Sequence, residues 1–395
     1  MIDPSRHVPL RSTPWSPVDA SAAIEEIVAD ALAHFDAERL WPSHPREDGL
    51  PDGMANLWVG AAGVIWGLDY LARSGVTHPR LDFGPVLPRL LEVGAAELST
   101  RGDYAAHGAF LLGDLGTALV AMRIGGSAEI ADLVYERCAR NAALPIRELM
   151  WGLSGSMLAC IHMHAMTHEP LWRHLFSAQA ARLLDDLEET VLGPLWNVDL
   201  YGNVQPWLGP VHGYAGNMIP LLRGWEWLTA SQRATVAGAV PRTLAATAYR
   251  SELGATWRPV ATRTNPPALC QHCHGAPGMV TTFADTPFAS PELDALLVEG
   301  GTFTWSAGPL AKGSNLCHGT GGNGYAFLKL HGRTGDSIWL ERARAFAMTA
   351  IAQCREARAE LGRGRFSLWT GDVGLAIYLW DCITGEPHFP TVDVF

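Results

Sequence analysis

Positive charge is in short supply. Lys and Arg total 29 against 40 Asp and Glu, a formal net charge of -11 over 395 residues. Nucleic acid and anionic membranes are held chiefly through Lys and Arg, so an acidic chain argues against both as main partners. Long apolar runs are missing too. Gly, Pro and charged residues interrupt every hydrophobic stretch before it reaches the length of a membrane span. The opening Met-Ile-Asp-Pro-Ser-Arg-His has no basic segment followed by an apolar one, so no secretory signal is read and a cytoplasmic protein is expected. Alternating β-branched stretches are scarce, which disfavours a sheet-based fold. Seven cysteines, an odd number without an export signal, point to metal or thiol chemistry and away from disulfides.

What the chain does have is repetition. A G-x-x-G tetrapeptide recurs as Gly60-Ala-Ala-Gly63, Gly113-Asp-Leu-Gly116, Gly152-Leu-Ser-Gly155, Gly213-Tyr-Ala-Gly216, Gly275-Ala-Pro-Gly278, Gly319-Thr-Gly-Gly322 and Gly371-Asp-Val-Gly374. Successive second glycines stand 53, 39, 61, 62, 44 and 52 residues apart. One such motif carries no information; seven that open hydrophobic segments point to a repeat architecture. The segments 64–71, 117–122, 156–163, 217–222, 323–330 and 375–380 read as buried helices. Between them, 22–35, 87–98, 128–141, 171–187, 230–250 and 337–358 carry apolar residues at spacings of three and four. The expectation is an all-α fold: an α/α toroid of seven inner and about seven outer helices, with the glycine turns at one end. It forms a single domain over 21–395 behind an N-terminal extension, 1–20. The competing interpretation makes the glycines ordinary helix caps of an unrelated helical protein.

A ring turns residues beside the glycines into neighbours in space. His212 precedes the fourth pair. Cys270-Gln-His-Cys273-His274 precedes the fifth, and Cys317-His318 the sixth. Thiolate and imidazole are zinc-type donors. Cys273, Cys317 and His318 would form a neutral assembly with Zn2+ and leave a fourth position open, as catalytic zinc sites do. A closed four-ligand site with Cys270 is the structural alternative, and C-x-x-C-H also matches covalent haem attachment. His212 is a candidate general acid or base and Glu148 a companion carboxylate. His272, His274, Arg263 and Cys270 are candidates for contacts to substrate or to the metal ligands. Cys138, Cys160, Cys354 and Cys382 read as buried apolar residues. Trp58, Trp207 and Trp369 stand near glycine turns and are candidate cleft walls. Carbohydrate-active helical toroids use paired carboxylates, which are sparse at these turns. Prenyltransferase toroids also use zinc, but their motifs are not seen here.

The pattern over about residues 50–385 resembles the lanthionine synthetase C-like family, most specifically in Cys273-His-Gly-Ala-Pro-Gly278 and Leu316-Cys-His-Gly-Thr-Gly-Gly322. The resemblance implies zinc on Cys273, Cys317 and His318, and an active-site histidine at His212. Glu148 stands where cyclases carry an aspartate, and His274 where an aromatic residue is common. Both look like the eukaryotic-type branch. His272 replaces a frequent tryptophan. The family's active-site arginine has Arg258 and Arg263 as its nearest counterparts. What is implied is addition of a thiol to dehydroalanine or dehydrobutyrine, as in a lanthipeptide-type cyclase. The partner would be a dehydrated peptide. An intermolecular, glutathione-like thiol transfer to dehydroamino-acid proteins, with a small thiol as co-substrate, is the second reading. A non-catalytic, zinc-stabilised binding protein is the third.

Overall fold

A computed structural model of the chain describes residues 3–47, 49–77, 81–100 and 108–395. Each G-x-x-G motif opens a helix: α2 (Ala61–Arg73), α4 (Asp114–Ile124), α6 (Leu153–Thr167), α8 (Tyr214–Arg223), α10 (Ala276–Phe283), α12 (Thr320–Thr334) and α14 (Asp372–Thr384). Seven more alternate with these: α1 (Pro17–Ala33), α3 (Leu87–Thr100), α5 (Ala128–Ala143), α7 (Pro170–Asp185), α9 (Ala230–Thr247), α11 (Pro291–Ala307) and α13 (Ser337–Leu361). The first set packs side to side in chain order, and α14 returns to α2, so the inner ring closes. The second set wraps it, with α1 covering α14. The molecule is the expected α/α toroid.

Burial separates the rings. In α12 every residue from Thr320 to Leu330 is buried, because the helix meets neighbours on all sides. In α13 the buried set is a stripe that includes Trp339, Ala343, Phe346, Ala350 and Cys354. That is the one-sided pattern of a covering helix.

The inner helices share a starting device. Glycine occupies each N-cap, so the N-cap residue has no side chain with which to cap the first turn. The orphan N–H groups of a first turn need acceptors. The preceding loop supplies them by folding back across its own helix. Thr320, Gly321 and Gly322 donate to the carbonyls of Gly313, Ser314 and Asn315 at 2.8, 3.0 and 3.2 Å. Tyr214, Ala215 and Gly216 donate likewise to Trp207, Leu208 and Gly209. The second glycine of the pair lies where the loop crosses. A Cβ on Gly322 would stand 1.7 Å from the Leu316 oxygen, and one on Gly278 1.8 Å from the His272 oxygen. No residue but glycine fits there.

Among the described residues, three antiparallel hairpins were not anticipated: β1 (Glu188–Thr190) with β2 (Gly193–Leu195), β3 (Val198–Leu200) with β4 (Asn203–Gln205), and β5 (Ala248–Ser251) with β6 (Gly254–Trp257). Strands of three or four residues are too short to show alternation. The segment before α1 is also built in: Val8 donates to the Pro309 carbonyl at 2.9 Å and Ala311 to that of Arg6 at 2.9 Å. Among the described residues no helix is long and apolar enough to cross a membrane.

Two glycine substitutions separate crossing from propensity. Gly322→Ala should destabilise by about 3 kcal/mol or more, through overpacking against a backbone that cannot move. Gly238→Ala, in α9 with open space around the new methyl group, should instead stabilise by about 0.5–1 kcal/mol. Denaturant midpoints of the two variants test the crossing; similar behaviour of both would contradict it.

Candidate metal centre and active site

The loops that cap the inner helices also join one another. Trp58 donates its N–H to Leu111 O, Leu111 to Met150 O, and Leu149 to Val211 O, at 3.0, 3.3 and 3.2 Å. Cys273 donates to Cys317 O, Cys317 to Trp369 O, and Trp369 back to Trp58 O, at 3.0, 2.9 and 3.2 Å. The fourth and fifth loops meet at Gly209, where a Cβ would lie 2.1 Å from the Cys273 carbonyl oxygen. The loop circle is therefore continuous, and the candidate residues come together on its third to sixth members.

Cys273, Cys317 and His318 converge, with their ligand atoms within 4.8 Å of one another. Two donors about 2.3 Å from one tetrahedral ion stand about 3.8 Å apart, so a single zinc ion fits among them. The local turns set this up. Gln271 and His274 exchange backbone bonds at 3.0 and 3.1 Å, which places Cys273 at the tip of a tight turn. The Gln271 side chain donates to Cys273 Sγ at 3.0 Å, and Asn315 Oδ1 accepts from the His318 N–H at 3.0 Å. In the free dithiol, a hydrogen bond from Cys317 outweighs burial and, with Gln271, holds the Cys273 thiol below its usual range. Burial and that shared proton push Cys317 the other way. Nearby Lys312 favours the thiolate at both sulfurs. Two sulfurs and an imidazole within reach of one another are a donor set suited to a divalent metal.

Cys270 lies outside this group. Its thiol is pushed up to about 12 by burial and contacts Thr304, while its carbonyl accepts from Asn323 Nδ2 at 2.9 Å. Among the described residues, then, the closed Cys3His alternative is not formed. His272 points away from the ligands: it stacks on Phe389 with centroids 4.4 Å apart. Arg263 is exposed in the loop after β6, and Arg258 binds the Thr264 and Asn265 carbonyls of that loop.

On the third and fourth loops, His212 Nδ1 lies 2.8 Å from Glu148 Oε2. Glu148 is fully buried and also accepts from the backbone N–H groups of Met150 and Trp151. His274 follows Cys273 in the chain and lies close enough to His212 to feel its charge. Burial first, and then His212, lowers its pKa to about 4, so it is neutral at physiological pH. Trp207 packs 6.3 Å from its ring.

Above His318 opens a cleft of about 570 Å³, with Trp58, Val59, Leu112 and Thr370 in its wall. Arg46, Lys312 and Arg365 line it together with Glu47, which Arg365 Nε contacts at 2.5 Å. The sequence reading missed these cations. Lys312 and Arg365 stand seven and six residues before Gly319 and Gly371, whereas the cysteines stand two before theirs, so the phase that singled out the cysteines does not mark them. Trp58 lines the cleft, but Trp369 is fully buried and stacked against it at 4.7 Å.

Comparison with known proteins agrees with this arrangement. Residues 127–394 match the family profile described as Lanthionine synthetase C-like protein. An Arabidopsis thaliana LanC-like protein GCL1 is 40% identical over 136 residues, covering 32% of this chain and 30% of its own length. The Danio rerio protein named Glutathione S-transferase LANCL1 is 33% identical over 129 residues, 32% of each chain. The aligned stretch thus spans about a third of those relatives. Nisin cyclase superposes with a TM-score of 0.61 over 94% of this chain and 98% of its own, at 14% identity, which speaks for the fold alone.

Removal of one sulfur tests the donor set. Cys317→Ala should lose the metal, read as zinc per chain after dialysis, whereas Cys270→Ala should keep one equivalent. Retention by the first variant, or loss by the second, would refute the assignment.

Proposed function

The chain belongs to the lanthionine synthetase C-like family, and on that premise we propose that it forms thioethers, adding a thiol to a dehydroalanine or dehydrobutyrine residue of a peptide or protein. The observation that carries this reading is the placement of the Cys273–Cys317–His318 group and the His212–Glu148 pair on adjoining loops of one circle, with His318 in the wall of the cleft. Zinc on the three donors would supply Lewis acidity, lowering the pKa of a thiol that reaches the open position.

The protein's own groups handle the rest. The thiolate sulfur forms a bond to the β-carbon; the double-bond pair moves to the α-carbon and its carbonyl as an enolate; one proton then arrives at the α-carbon. His212 is the group we assign to deliver it. Glu148 is buried and accepts from two backbone N–H groups and His212 Nδ1, so it fixes the ring's orientation and leaves Nε2 for the reacting atoms. Glu148 therefore acts through His212. His274, neutral and largely buried, adds no charge near that ring. Arg46 and Arg365 are engaged by Glu360 and Glu47, and Lys312 beside them is the cation that would hold a carboxylate in an otherwise acidic molecule. That observation favours a small anionic thiol of the glutathione type over a cysteine of the same peptide.

His212→Ala should keep one zinc per chain and lower turnover by about 10²–10⁴-fold, the usual worth of one acid–base group. Near-normal turnover would remove His212 from the mechanism. Mass spectrometry separates the thiol sources. With zinc protein, a dehydroalanine peptide that also bears a cysteine, and glutathione, a gain of one glutathione is expected. Unchanged mass with loss of the free thiol would mean cyclisation instead, and an unreacted peptide would sink thioether formation altogether.

A further inference from the structure

The segment that follows α14 turns back into the barrel, and nothing in the reaction above uses it. Its side chains run from the far end of the ring to the metal loops. At the far end, Asp393 is buried between Arg223 and Lys329, with Lys329 Nζ at 2.5 Å. Asp285 contacts the same two cations, 2.7 Å from Arg223. Two cations and two anions thus neutralise one another at the ends of α8 and α12 and just beyond α10. Asp393 Oδ2 also accepts from the Phe389 N–H at 2.8 Å, which ties the anchor to a turn.

From that turn the segment reaches upward. Thr391 has φ 61°, a left-handed conformation that a β-branched residue adopts only when its surroundings force it. The forcing contacts are visible. Its carbonyl bonds His162 Nε2 at 3.1 Å, and its hydroxyl accepts from Trp369 Nε1 at 3.3 Å. Trp369 is the residue whose carbonyl accepts from both Leu316 and Cys317. Phe389 lies flat on His272, 12° from parallel, and 5.2 Å from the Trp369 ring. His272 is the chain neighbour of Cys273. One aromatic ring therefore packs simultaneously beneath the loop of one sulfur ligand and the hydrogen-bond partner of the other.

We infer that the segment 386–395 is a positioning element for the metal centre, with Phe389 setting the separation of Cys273 and Cys317 from below and the Asp393 ion cluster holding Phe389 in place. The inference rests on the zinc reading above. It concerns geometry: without the ring, the turn at Gln271–His274 and the Trp369 loop lose their common support, and the donors can drift apart. Outer contacts to metal ligands are worth about 10–100-fold in metal affinity, which fixes the scale of the effect.

The test uses the full chain loaded with zinc or with cobalt(II). Phe389→Leu keeps most of the volume but cannot stack on His272; Phe389→Ala removes the support; Phe176→Ala empties an equally buried site on α7, beside Trp227, as a control for stability alone. Zinc dissociation constants come from chelator competition. The cobalt protein reports donor geometry through its thiolate charge-transfer and ligand-field bands. The expected result is a loss of zinc affinity of about 10–100-fold in the Phe389 variants, with weakened cobalt bands, while Phe176→Ala lowers the melting temperature but leaves affinity and spectrum unchanged. The inference is overturned if Phe389→Leu binds zinc as tightly as the unmodified chain with the same cobalt spectrum, or if Phe176→Ala loses as much affinity as Phe389→Ala. Failure of the unmodified chain to bind zinc would instead overturn the zinc reading itself.

Discussion

Everything in this molecule depends on one close approach: a loop crossing the first turn of the helix it precedes. The loop carbonyls take up N–H groups that would otherwise be orphaned, and the crossing point admits no side chain. Repeated seven times, the crossing leaves each loop with free backbone on its outer side. The neighbouring loop takes that up in turn, from Trp58 to Leu111 and onward to Trp369, which closes back on Trp58. Chemistry can be placed on these loops because their backbones are fixed twice, once by their own helix and once by the next loop.

The site follows from that circle. Residues as far apart in the chain as Glu148 and His318 lie within four successive loops, so one stretch of the circle carries both the Glu148–His212 pair and the Cys273–Cys317–His318 group. All seven inner helices begin here, so the positive ends of their dipoles favour thiolate and carboxylate at this end of the barrel. The cleft cations act in the same direction. An acidic protein with a locally cationic mouth would attract anions there and repel them elsewhere.

Much of this was legible in the sequence, for identifiable reasons. The crossing permits only glycine, so it writes itself into the chain seven times and exposes the repeat. The donors were legible because their phase against those glycines is constant. Other features left no such trace. Helix α11 carries Gly300-Gly301, which reads as a breaker. The glycines are there because Val280 and Leu330 press so close that added methyl groups would stand 2.8 and 2.3 Å away. The fifth turn departs from its siblings: Gly275 takes φ 124°, and Thr256 of β6 caps α10 instead of a loop carbonyl. No local pattern announces that exchange. His272 could be placed beside the metal from its position in the chain, but its ring turns into the barrel because Phe389, more than a hundred residues later, offers a flat face. Partners that distant have no signature in a single sequence.

The central claim is a three-donor metal centre with one position open to a thiol. X-ray absorption at the zinc edge tests it most directly. The account predicts two sulfur neighbours near about 2.3 Å with nitrogen or oxygen completing the shell, and a third sulfur only after a small thiol is added. Three sulfurs before any thiol is added, or a shell that thiol leaves unchanged, would contradict it.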